Sequence, residues 1–148
     1  MLNQDYKEML SILLENNVEF LLVGAYAMAV HGYPRATGDL DIFVRPSKEN
    51  SQKVYQALAK FGAPLESVTI EDFEKPGTIF QIGMIPRRID VINEIDGVTF
   101  EDAYHAREFI DIEGLIVPVI SKQKLIINKQ ATGRDKDRLD AERLNDSK

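Results

Sequence analysis

Hydrophobic positions at steps of three and four open the chain. Leu2, Tyr6, Met9, Leu10, Leu13 and Leu14 fall on one stripe, which predicts an amphipathic helix over residues 2–16 stopped by Asn16-Asn17. Residues 18–23 are an unbroken run rich in Val, Phe and Leu, the pattern of a buried strand. That run leads straight into Gly24-Ala25-Tyr26-Ala27-Met28-Ala29-Val30, which has helix composition, so the order is helix, strand, glycine turn, helix. His31-Gly32-Tyr33-Pro34 breaks the second helix. Residues 39–44 then predict a strand ended by Pro46, and Ser47 caps a helix carrying Val54, Ala57, Leu58 and Phe61 with Gly62 as its stop.

Beyond Pro64 the segments are shorter. Strands are predicted over 67–70, 78–82 and 88–93, followed by a hairpin through Glu113-Gly114 that joins 109–112 to 115–119. Ser121 caps a helix with Leu125, Ile126 and Ile127, and residues 134–144 form the last one. The division is an N-terminal helix over 2–16, a core over 18–119 and C-terminal helices over 121–146. At 148 residues these pieces fit a single domain.

Composition removes several classes of chemistry. The chain has no cysteine, which excludes a disulfide framework, zinc held by thiolates and a cysteine nucleophile. Its net charge of -6 argues against a broad nucleic-acid-coating surface. The charge is uneven, however: residues 122–148 carry eight Lys and Arg against five Asp and Glu, whereas the first 121 carry ten against 19. A compact basic segment beside an acidic body suits one polyphosphate. The longest apolar stretch holds Gly24 and stops at His31-Gly32, short of the roughly 20 residues a membrane span needs. With no targeting signal after Met1, the expectation is a cytoplasmic protein without membrane contact.

The informative stretch is 24–44, GAYAMAVHGYPRATGDLDIFV. Asp39 and Asp41 lie at i and i+2 where a strand begins, so alternation puts both carboxylates on one face. Two such groups repel unless a cation sits between them, and all-oxygen ligands suit Mg²⁺ or Mn²⁺. An Asp-X-Asp pair alone is common in solvated turns. Here Gly24-Ala25 lies between a buried strand and a helix, where backbone N–H groups can face an anion. Asp90, an acid inside the apolar run 89–92, is a third carboxylate; it serves either the same site or an ion pair with Arg88 or Arg35. Arg35 and Thr37 share the parity of Asp39 and Asp41, so Arg35 fits a phosphate clamp or an ion pair with Asp39, and Thr37 a hydrogen-bond donor. His31 reads as a helix-end cap and His105 as a surface residue. A phosphotransferase with an aspartyl nucleophile fits poorly, because the apolar run follows the Asp pair instead of preceding it.

These residues resemble the nucleotidyltransferase superfamily of the polymerase-beta type, and within it the small bacterial group related to AbiEii-type toxins of toxin–antitoxin systems. The resemblance rests on Val23-Gly24-Ala25 with Ala27, His31-Gly32, Arg35, Thr37, Asp39-Leu40-Asp41, Arg88-Ile89-Asp90-Val91-Ile92 and the segment 129–140. It departs from the family at Ala25, where Gly or Ser is commoner and a serine hydroxyl can hold a phosphate. It implies an α+β nucleotidyltransferase-like fold, a mixed sheet with helices packed mainly on one face. It further implies transfer of a nucleoside monophosphate from an NTP to a hydroxyl on RNA, protein or a small molecule. Asp39, Asp41 and Asp90 would be the catalytic, metal-binding carboxylates for Mg²⁺ or Mn²⁺, with Asp90 activating the acceptor hydroxyl. Gly24, Ala25, Arg35, Thr37, Lys129 and Arg134 would bind the nucleotide. Asp137 and Asp140 read as helix-capping and ion-pairing residues. With no length left for an acceptor domain, an antitoxin or a homodimer partner enters as an expected contributor. An inactive nucleotide-binding or regulatory module of the same fold is the alternative.

Overall fold

The computed structural model describes residues 2–33, 38–84 and 87–146. Helix α1 (Gln4–Glu15) starts where the Asn3 side chain accepts from the Tyr6 amide, and it ends at Asn16-Asn17, the latter with φ of 56°. Strand β1 (Phe20–Val23) is buried throughout and passes without a break into α2 (Gly24–Val30). Strand β2 (Leu40–Val44) and α3 (Lys48–Phe61) follow, the helix capped by the Ser47 hydroxyl and closed at Gly62.

The expected strand over 67–70 does not form. Thr69 and Asp72 hydrogen-bond each other reciprocally, Thr69 N–H to Asp72 Oδ2 at 2.8 Å and Asp72 N–H to Thr69 Oγ1 at 3.3 Å. That local pairing sets up the 3₁₀ turn Glu71–Glu74, which buries Phe73. Short polar side chains that satisfy neighbouring amides outweighed the β-branched composition of the segment.

Strands β3 (Ile79–Ile82) and β4 (Ile89–Ile92) come next, and then α4 (Phe100–His105), a helix that hydrophobic spacing did not announce and that Thr99 caps. The hairpin of β5 (Glu108–Ile112) and β6 (Leu115–Val119) turns at Glu113-Gly114 as the pattern indicated. The helices α5 (Lys122–Ala131), capped by Ser121, and α6 (Asp135–Asp146) close the chain.

The six strands form one mixed sheet in the order β3-β4-β2-β1-β6-β5. Strands β1 and β2 are antiparallel, β2 and β4 parallel, β1 and β6 parallel, with antiparallel β3 and β5 at the edges. Alternation divides the side chains between two faces. Leu22, Ile42, Val91 and Val119 point one way, into a core shared with Met9, Leu10 and Leu13 of α1 and Val54, Ala57 and Leu58 of α3. Asp41 and Asp90 point the other way with Phe43, whose ring meets Phe100 of α4 edge-on at 5.0 Å. The expected α+β class and single domain are therefore the observed ones, and the carboxylates lie on the face opposite the main core.

Candidate functional site

Register brings the carboxylates together. In the parallel pair β2–β4, Asp41 and Asp90 are direct partners, so two residues 49 positions apart stand side by side. Gln81 of edge strand β3 extends the row, since it pairs with Asp90. Asp39 lies one alternation before Asp41, and Arg88 one before Asp90.

Arg88 binds two of the three carboxylates. Its Nε donates to Asp90 Oδ1 at 2.8 Å, and one terminal nitrogen donates to Asp90 Oδ2 at 3.2 Å and to Asp39 Oδ2 at 2.8 Å. The ion-pair reading of Asp90 is thus realised, with Arg88 as the partner. Asp90 is 8% exposed, so the guanidinium supplies what water cannot. Asp41 is different: burial first, and then the charges of Asp90 and Asp39 and a hydrogen bond with Asp90, push its carboxyl up to about 7. Asp41 therefore holds its proton to higher pH than an ordinary carboxyl.

Gly24 stands against this group. Its φ is +70°, and a Cβ built on it would lie 2.1 Å from Asp41 Oδ2. Only glycine allows the end of β1 to touch the carboxylate while turning into α2. The first turn of α2, with Ala25 next in line, brings to this edge amides that a helix start leaves without intrahelical partners.

The basic residues arrive from α5 and α6. Asn128 Nδ2 donates to the Asp96 carbonyl at 2.9 Å, and a Cβ at Gly97 would lie 2.5 Å from Ala131 Cβ, so α5 rests on the loop after β4. Lys129 is fixed between Asp137 at 3.3 Å and Asp140 at 3.4 Å, and Arg134 Nε meets Asp137 Oδ2 at 2.9 Å. Burial would raise the Asp137 carboxyl, but the Thr132 hydroxyl, Lys129 and Arg134 outweigh it and hold the group below the usual carboxylate range. The expected ion-pairing role of Asp137 and Asp140 is what their contacts show.

One cavity of about 490 Å³ gathers the two halves. Gly24, Asp39, Asp41 and Asp90 line it with Lys129 and Arg134, six of the residues singled out in the sequence. Ala25 borders Gly24 without lining the cavity, and Arg35 and Thr37 lie outside the described residues. The structure adds Gln81, Glu94, Asp96, Asn128 and Thr132. Gln81 is there through cross-strand register, Glu94 and Asp96 through the loop after β4, and Asn128 and Thr132 through the docking of α5 on that loop, none of which a motif reveals. His31 caps no carbonyl of its own helix with its ring: Nε2–H donates to the Ile120 carbonyl at 2.8 Å and ties α2 to the end of β6. His105 is exposed, as expected.

The donor set is oxygen only, which fits Mg²⁺ or Mn²⁺. Among the described residues no three His, Cys, Asp or Glu side chains stand close enough to form a metal group as they are placed. The paired Asp41 and Asp90 carboxyls are nonetheless an arrangement that a cation would relieve.

This fold is that of the nucleotidyltransferases. The lincosamide antibiotic adenylyltransferase LnuA, solved with lincomycin bound, superposes with a TM-score of 0.64 at 15% identity over 99% of this chain and 98% of that one. A candidate nucleotidyltransferase of Thermotoga maritima, TM1012, gives 0.63 at 15% identity over 98% and 93%. ANT(2")-Ia in complex with adenylyl-2"-tobramycin gives 0.60 at 15% identity over 94% and 84%. No protein-family model and no curated protein matches the chain. Among the described residues no helix is long and apolar enough to cross a membrane.

Proposed function

We propose that this chain is a metal-dependent nucleotidyltransferase that moves a nucleoside monophosphate from an NTP to a hydroxyl acceptor. The observation that carries the reading is the cavity in which the row Asp41–Asp90, with Asp39, faces Lys129 and Arg134 within a nucleotidyltransferase fold. A row of carboxylates facing two cations that are themselves paired with Asp137 and Asp140 suits a metal-bound triphosphate and not a simple anion.

Asp39, Asp41 and Asp90 would hold Mg²⁺ or Mn²⁺, which when bound neutralises charge on the attacking and leaving oxygens. Gly24 and Ala25 offer backbone amides to the outer phosphates, and Lys129 and Arg134 offset their charge. Asp90 accepts the proton of the acceptor hydroxyl as its oxygen bonds to the α-phosphorus, and the bond from that phosphorus to pyrophosphate breaks. Arg35 and Thr37 retain the nucleotide-binding role expected from their parity.

For the acceptor we favour a small molecule over RNA or protein. LnuA was solved with lincomycin and ANT(2")-Ia with an adenylylated tobramycin, and both match almost this whole chain. The AbiEii-type relationship and an antitoxin partner stay with the proposal on the sequence resemblance alone, and a homodimer partner and a cytoplasmic setting stay as expectations from the sequence. The second reading, binding without turnover, is favoured by one feature: Arg88 already occupies oxygens of Asp39 and Asp90.

Transfer of label from α-phosphate-labelled NTPs to a panel of lincosamides, aminoglycosides and RNA separates these readings. Labelled product that disappears in Asp90→Asn, while that variant still binds Mg-NTP, supports the enzyme. Nucleotide binding with no transfer to any acceptor favours the regulatory module. Loss of folding in Asp90→Asn assigns Asp90 to the ion pair.

A further inference from the structure

Asp90 has little access to water, and both of its oxygens are engaged by one guanidinium. Arg88 spans them through Nε and a terminal nitrogen, and the same nitrogen reaches Asp39 Oδ2. A fork of this kind satisfies the carboxylates in their own plane, where a cation ligand would also have to bind. The backbone of Arg88 cannot follow the side chain away. Its carbonyl accepts from the Leu40 amide at 2.9 Å and from the Tyr6 hydroxyl at 3.1 Å. Any rearrangement is therefore confined to the side chain, which is 24% exposed and has a route to solvent.

We propose that Arg88 is the resident counter-ion of the carboxylate cluster, and that it must release Asp39 and Asp90 before a divalent cation is held there. This rests on the metal reading above and deepens it. Arg88 is then a positioning residue that holds Asp39 and Asp90 together before any cation binds and sets how tightly the site takes its cation. Guanidinium and metal are alternatives on the same oxygens. Lys at this position would keep the charge but lose the fork.

The test is calorimetric titration of Mn²⁺ without nucleotide into the wild type, Arg88→Gln, Arg88→Lys and Asp41→Asn, with the Arg88 Nε–H resonance of the ¹⁵N-labelled wild type followed during Mg²⁺ addition. Arg88→Gln is expected to bind Mn²⁺ about tenfold more tightly or better, the cost of breaking charged hydrogen bonds having been removed. Arg88→Lys should fall between it and the wild type, and the Nε–H signal should move in step with Mg²⁺ occupancy. Equal or weaker Mn²⁺ affinity in Arg88→Gln, or an Nε–H signal unmoved at saturating Mg²⁺, overturns the proposal alone. No Mn²⁺ binding by any of the four proteins overturns it together with the metal reading. The wild-type resonance and Arg88→Lys carry the test if Arg88→Gln does not fold.

Discussion

Asp41 concentrates the conflict between folding and function in one side chain. Its carboxyl titrates at about 7 in the fold, against an ordinary value of 3.8. Between those values the folded chain holds a proton that the unfolded chain has lost, so stability falls as pH rises through about 4 to 7 and the penalty is complete above 7. Asp41→Asn should therefore melt higher than the wild type at pH 8, by an amount on the order of 2 kcal/mol, and show a flatter stability profile between pH 4 and 7. A parallel profile in variant and wild type, by thermal melts across that range, would contradict this origin of the shift. Gly24 belongs to the same contact. Gly24→Ala puts a methyl into the Asp41 carboxyl at a φ that disfavours any Cβ, and should cost about 2 kcal/mol or more by denaturant unfolding. A fully stable Gly24→Ala protein would mean that the end of β1 has room to relax.

The second half of the site depends on how α5 and α6 are seated. Lys129 is held by Asp137 and by Asp140, which is 1% exposed, so Asp140→Ala leaves a buried cation with reduced compensation. A destabilisation of about 3 kcal/mol is expected in chemical unfolding; a change under about 0.5 kcal/mol would show that Lys129 finds water instead. Gly97→Ala should push α5 off the loop after β4 and weaken nucleotide binding without touching any charged group, since its Cβ would meet Ala131 at 2.5 Å. Unchanged nucleotide affinity in that variant would separate the position of α5 from the cavity. Elements with strong period, apolar runs or clear caps were legible in the sequence: α1, β1, α2, β2, α3, β3, β4, the β5–β6 hairpin and both C-terminal helices. Residues 67–70 were not, because Thr69 and Asp72 satisfy each other locally. Neither was α4, whose six residues are too few to display a period.

Across the whole molecule, the carboxylate triad could be proposed from spacing and resemblance, but its assembly could not. Asp41 and Asp90 meet only because β2 and β4 are parallel in one register, and Lys129 lines the same cavity only because α5 folds back over the loop after β4. Such long-range pairings leave no local trace in composition or periodicity. The same distance explains why Gln81 and Asn128 went unnoticed and why Arg88 looked like one of two ion-pair candidates for Asp90, beside Arg35, instead of the residue bridging Asp39 and Asp90. The fold carries the carboxylate row and the ion-paired Lys129 and Arg134 to one cavity, where we propose that a metal-bound triphosphate is held. Calorimetric titration of ATP, GTP, CTP and UTP, with and without Mg²⁺, into the wild type and Asp41→Asn tests it most directly. Binding of at least one NTP that requires both Mg²⁺ and Asp41 is the predicted result; binding that ignores either, or no binding of any of the four, would contradict it.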